Sequence, residues 1–216
     1  MTLYDDPQLV RDRERFRRDR IGEIFPMLRH GIWHTTGPQE TLAIINAGEI
    51  RPNRREFRFS YPQTANSYGF YKGYVCLFDF AVLREAEYVD FHERWSGFFL
   101  GGTPFTVAIE LDRTALGDRL IPNGAARAEL GFRKVWIPHV EVWHNGPINL
   151  ATAGRRCLLI APSTVGHEPV SMPLDDPRLI SMLQRASQTG SKKERPLAVR
   201  PEFENQLQEW EEPTDE

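Results

Sequence analysis

Cysteine is scarce in this chain: only Cys76 and Cys157 occur in 216 residues. That excludes a scaffold built on disulfides. Each thiol sits inside an apolar run, so two buried free cysteines in a reducing compartment are expected, not a bridge. Long apolar runs are missing as well. None approaches the ~20 residues that span a bilayer. The N-terminal stretch turns charged within a few residues and has no apolar core of a secretory signal. The expectation is a cytoplasmic protein with no membrane partner. An excess of one charge is also lacking: 27 Lys and Arg stand against 30 Asp and Glu, for a net charge of -3. No global attraction to nucleic acid follows, which leaves only local patches to supply it. No glycine-rich phosphate loop follows a strand, and there is no nucleophile elbow. No internal repeat is present.

What is there is an ordinary globular composition, 40% hydrophobic and 26% charged, long enough for a sizeable core in one domain. The stretch Gly31-Ile32-Trp33-His34-Thr35-Thr36 organises the rest. Its alternation predicts a strand that delivers His34 to the edge of a sheet. Pro38 suits a first helical position, Glu40 suits a first turn, and Gly48 suits a C-terminal cap. A compact helix over 38–48 is therefore expected behind the strand.

A charged helix is expected over 6–29. Its arginines at 11, 13, 15, 17, 18 and 20 interleave with Asp12, Glu14 and Asp19. Short-range ion pairs on a solvated helix account for this pattern, and a basic face for phosphates is the alternative. A long, basic, proline-interrupted loop follows from Arg51, carrying Arg54, Arg55 and Arg58, and the tyrosines at 68, 71 and 74 come after it. Strands are expected at 74–80, 105–112, 139–143 and 157–161, and helices at 113–118 and 176–187. Residues 134–138 read as a further strand, or as one bent at Pro138. Residues 81–94 read as helix or irregular. From residue 188 the composition turns to Ser, Lys, Gly and Pro, and 202–216 holds seven acidic side chains and no basic one. The expected organisation is one α+β domain over 1–187, with a core at about 30–165 and a mixed, largely antiparallel sheet. A linker and acidic tail fill 188–216, with a marginal helix around Trp210.

Among groups able to do chemistry, Glu141 stands out. In a strand it shares a face with His139 and Trp143, and a carboxylate in so apolar a stretch is costly to bury unless partnered or set in a cleft. It is either an exposed edge residue or a carboxylate placed to steady positive charge or accept a proton. His34 is either a satisfied structural histidine or a ligand. Thr35 and Thr36 are hydroxyls at a strand end. Tyr68, Tyr71 and Tyr74 lie near glycines and offer surfaces on which a flat ring can stack. The spacing His139-x-Glu141-x-x-His144 suggests metal only weakly, because a strand sends His144 to the opposite face. No metal is expected.

These residues resemble the NAD-dependent ADP-ribosyltransferase toxins, and most nearly those of the DarT type, which modify DNA bases. Trp33-His34-Thr35-Thr36, the helix after it and Glu49-Ile50-Arg51-Pro52-Asn53 are similar to that group's opening. Gly73-Tyr74-Val75-Cys76-Leu77-Phe78-Asp79-Phe80 is similar to its next core strand. Val140-Glu141-Val142-Trp143, with Gly146-Pro147-Ile148 after it, is similar to the strand presenting the catalytic glutamate. The resemblance covers about residues 30–150. It implies a split sheet with flanking helices, NAD as substrate, and mono-ADP-ribosyl transfer to a macromolecule, with nucleic acid favoured slightly over protein. A toxin or phage-defence role and a cognate antitoxin are further implications.

Under this resemblance Glu141 stabilises the oxocarbenium-like state formed when ribose and nicotinamide part. His34 and Thr35 hold the other ribose and Thr36 also meets NAD, while Tyr71, with Tyr68 as second choice, stacks on nicotinamide. Arg51 or Arg55 meets the pyrophosphate, and the long loop covers NAD. Two other readings stand beside it. One is a nuclease, with or without metal, using His34, His139 and Glu141. The other is a non-catalytic module that binds a nucleotide or partner.

Overall fold

The computed structural model describes residues 7–54, 67–81, 95–101, 105–130, 137, 139–161 and 168–190. The first helix, α1 (Pro7–Leu28), matches the charged stretch expected there. Strand β1 (Ile32–Thr36) leads into α2 (Pro38–Ala47), with Pro38 in the first turn and Gly48 closing it. Gly48 has φ 69°, a left-handed conformation that glycine adopts without steric cost, and its N–H bonds the carbonyl of Ile45. Next come β2 (Glu49–Ile50), α3 (Tyr68–Lys72), β3 (Val75–Asp79) and β4 (Thr106–Leu111). Helix α4 (Arg113–Leu116), capped by Asp112, runs through a 3-10 turn into β5 (Leu120–Ile121) and α5 (Asn123–Leu130). The chain continues as β6 (Glu141–His144), β7 (Ile148–Asn149), α6 (Leu150–Ala153), β8 (Gly154–Ile160), β9 (Val170–Pro173) and α7 (Pro177–Gly190).

Seven strands form one sheet in the order β5-β6-β3-β1-β4-β8-β9, and β2 pairs with β7 in a small second sheet. Every ladder described is antiparallel. The fold is therefore α+β around an antiparallel sheet. Antiparallel neighbours alternate their side chains between two covered faces. One face carries Ile32, Leu77, Ile109, Val142 and Leu159 and packs on Leu179 and Leu183 of α7 and on apolar residues of α2. The other carries Trp33, Phe78, Ala108, Leu158 and Ile160. It packs on Ile21, Ile24 and Leu28 of α1 and on Trp95 and Phe99 of a helical segment at 95–100. Arg20, fully buried on α1, is tied by its guanidinium to the carbonyl of Ala161 and to Glu23. It therefore leaves the basic face to its exposed neighbours.

Three expectations shift. The strand expected at 139–143 begins only at Glu141, because His139 sits in a turn at φ 67° and cannot continue extended pairing. Residues 68–72, for which no helix is expected, form α3, capped by the Ser67 hydroxyl. The last helix persists to Gly190, past the expected linker start at 188. The stretch expected as a loop at 55–66, most of 81–94, residues 134–136 and 138, and everything after 190 lie outside the described residues.

Candidate functional site

Strand β1 is paired unequally. With β4 its ladder runs from Ile32↔Leu111 through Thr36↔Val107. With β3 the register is Ile32↔Asp79 and Trp33↔Phe78 alone. Beyond Trp33 the main-chain ladder to β3 stops, and His34 takes its place: the ring Nδ1 lies 3.1 Å from the carbonyl of Cys76. A carbonyl only accepts, so Nδ1 carries the proton and Nε2 is left as an acceptor. Loss of water around the ring lowers the basicity of His34, and the Cys76 carbonyl offsets part of that effect. His34 is thus a neutral, anchored imidazole.

Glu141 opens β6, opposite Phe78 on β3. It is 5% exposed. One carboxyl oxygen accepts from the Ile137 N–H at 2.7 Å, and the other from the Trp143 indole N–H at 3.1 Å. The Cys76 thiol is a further hydrogen-bond partner. Burial outweighs these donors and pushes the carboxyl up to about 7. The thiol is raised well above its ordinary value, by burial first and then by the adjacent carboxyl. A carboxyl that titrates near neutrality is suited to give or take a proton at physiological pH.

The lid over this group is α3. Tyr68 is buried against Trp143, with ring centroids 4.6 Å apart, and it also meets Tyr74. Gly69 seats the helix: a Cβ there would collide with Cys76 Sγ and come within 2.7 Å of Trp143 Cδ1. Only a residue without a side chain lets the helix approach so closely. On the outer side of α3, Glu129 of α5 accepts from the Tyr68 hydroxyl at 2.8 Å and pairs with Lys72. Asn123, at the start of α5, donates to the carbonyls of Ile137 and Glu141. The head of β6 is therefore held from several directions.

The register brings some expected residues together and separates others. Glu141, Trp143, Cys76 and Tyr68 share one face of the sheet. His34, which pairs with Ile109, belongs to the opposite face with Ile32 and Thr36. The two groups meet only through Cys76, whose carbonyl serves His34 and whose thiol serves Glu141. His139, exposed in its turn, does not share the β6 face with Glu141, and the Nδ1 of His144 lies 2.9 Å from the Gly146 carbonyl. Tyr68 is committed to Trp143 and Glu129, whereas Tyr71 is 61% exposed. Thr35 pairs with Ala108 and is half-buried, and Thr36 is buried. Arg51 bonds Glu49 at 2.6 Å on the surface, and Arg55 lies outside the described residues.

Reading the sequence missed three partners: Cys76, Ile137 and Glu129. Cys76 had a signal, since a thiol on a strand beside a buried glutamate and facing the same way is a donor within reach. Ile137 acts through its backbone and Glu129 through a contact 61 residues from Tyr68, and neither leaves a local mark. No protein-family model, curated protein or solved structure matches this chain.

Proposed function

We propose that this chain is an NAD-dependent mono-ADP-ribosyltransferase acting on a macromolecule, with nucleic acid favoured slightly over protein. The observation that carries the reading is Glu141, a buried carboxyl at the head of a strand, held by two N–H donors and titrating near 7. Cleaving the bond between ribose and nicotinamide builds positive charge on the sugar, and a fixed carboxylate lowers the cost of that charge. The reactive bond belongs to NAD, so the protein's work is positioning and electrostatics. The early end of the β1–β3 ladder agrees with a sheet that splits beside His34.

In this reading Glu141 meets ribose only after its cover opens. Tyr71 supplies the stacking surface, and His34, Thr35 and Thr36 hold NAD from the strand end. The described register gives Glu141 no direct help from His34, so their joint use of one NAD requires β1 and β3 to part beyond Trp33 and admit it between them. The toxin or defence role, the antitoxin and a cytoplasmic location belong to the same proposal. No helix among the described residues is long and apolar enough to cross a membrane.

One observation favours a second reading. Both Glu141 oxygens are engaged internally, as in a glutamate that only holds a fold together. A non-catalytic nucleotide- or partner-binding module would look the same. Labelled NAD, incubated separately with DNA, RNA and protein, distinguishes the two. Transfer of label that disappears in a folded Glu141→Gln variant is the expected result. Wild-type transfer by that variant would sink the role of Glu141. Binding of NAD without turnover establishes the module, and cutting of nucleic acid without NAD establishes a nuclease.

A further inference from the structure

Away from Glu141, a surface groove of about 420 Å3 runs between β9 and α7, lined by Met172, Pro177, Arg178, Ser181, Met182 and Arg185. Met172 is buried and Met182 half-buried, so the floor is thioether and methylene. Methionine adapts its shape to whatever packs on it. The guanidiniums of Arg178 and Arg185 stand at the rim. Arg178 is fixed by Asp176 at 2.7 Å with most of its side chain in solvent, and Arg185 bonds the Ser181 carbonyl on its own helix. The site is an apolar trough edged by two guanidiniums, one of them salt-bridged to Asp176.

We infer that residues 202–212 of this same chain dock in that groove as an amphipathic helix. Three observations select this occupant. First, Phe203, Leu207 and Trp210 are spaced four and three residues apart, the spacing of one helical face. Apolar anchors at that spacing are the means by which a helix fills a groove. Second, 202–216 carries seven carboxylates and no basic residue, complementary to the arginine rim. Third, the segment is tethered within reach. Residues 191–201 follow α7 directly, and an eleven-residue connection extends to about 36 Å. Ser181 lies nine residues back from Gly190, about 14 Å along the helix axis. A tether of that length presents the segment at roughly millimolar effective concentration, so a weak contact suffices. The inference does not depend on the enzymatic reading.

The test is amide hydrogen exchange over 177–185 in the full chain and in a full-length variant carrying Phe203→Ser, Leu207→Ser and Trp210→Ser. Exchange about tenfold faster in the variant is expected, equivalent to about 1.4 kcal/mol, with exchange in β3 and β6, on the far side of the sheet, unchanged. Equal exchange in the two proteins overturns the inference. A second measurement uses Ser181→Cys with Gln206→Cys, which leaves the three apolar anchors in place, with Gln206→Cys alone as the control. A disulfide closed within one chain, absent from the control, is expected on mild oxidation. A disulfide between two chains overturns docking in cis in favour of a second copy, and no new disulfide overturns docking altogether.

Discussion

The two faces of the sheet differ most at the point where they share a residue. Beneath α2 and α7, the face that carries His34 is filled mainly by aliphatic side chains. Beneath α1 and α3, the face that carries Glu141 is filled largely by aromatic rings, with one carboxyl among them. Cys76 lies between, its carbonyl taken by His34 and its thiol by Glu141. Burial acts on both ionisable groups in the same way, against charge, but their chemistry is opposite. The imidazole becomes harder to protonate, and the carboxyl becomes harder to deprotonate. A single strand therefore separates two groups whose contributions to stability run in opposite directions with pH.

The largest expected effect tests the aromatic face. Trp143→Ala removes a fully buried ring that touches Tyr68 and donates to Glu141. A loss of roughly 3–5 kcal/mol is expected in urea denaturation, the usual cost of truncating a buried aromatic. The equivalent truncation of a groove residue such as Met182, which is half-buried on the other side, should cost less.

The pH profile sharpens the comparison. Glu141 has a folded-state value near 7 against an ordinary 4.5. Between those limits the folded chain holds more protons than the unfolded one, so stability falls as pH rises through the window. The loss is of the order of 3 kcal/mol. In Glu141→Gln this downward slope should vanish. His34 gives the mirror image. Its folded-state value is lowered, so its contribution is present above 6.5 and is lost as pH falls below it. A His34→Asn chain should lose that acid-side decline. If both substitutions flatten the same limb of the profile, the two groups are not in opposed environments.

Gly69→Ala tests how tightly α3 is seated. The added methyl would strike Cys76 and Trp143, and overpacking of this kind costs about 1–3 kcal/mol. Thermal denaturation reads the loss. A neutral outcome would mean that α3 shifts freely. The smallest effect on stability is expected from Tyr71→Ala, within about 0.5 kcal/mol, because the ring is exposed. In the enzymatic reading the same variant should lose NAD turnover, so a change in activity without a change in melting marks a stacking residue.

Much of the scaffold was legible because its signals are local. Pro38 and Gly48 bracket α2, and the apolar runs around Cys76, Val107 and Leu158 became β3, β4 and β8. The missed pieces are held by partners distant in sequence. Strands β2 and β7 are two residues each and exist only through their pairing, Glu49 with Asn149 and Ile50 with Ile148. Helix α3 is five residues long, hidden in an aromatic stretch with no long periodicity. At the site, the importance of Glu141 was readable from a carboxylate among apolar neighbours. Its burial was not, because one of the donors that make burial tolerable is the backbone N–H of Ile137, which no side-chain pattern marks. The opposition of His34 and Glu141 depends on ladder register, which no single strand encodes.

The strand order has a consequence for how this chain can associate. Among the described residues, the two rims of the main sheet are β5 and β9. An open rim is a row of unpaired N–H and C=O groups that can recruit another chain. Here one rim is two residues long, and the other ends on Pro173, which has no N–H to offer. Neither is a template for a further strand of useful length. Among the described residues, lateral growth of the sheet is therefore discouraged at both rims.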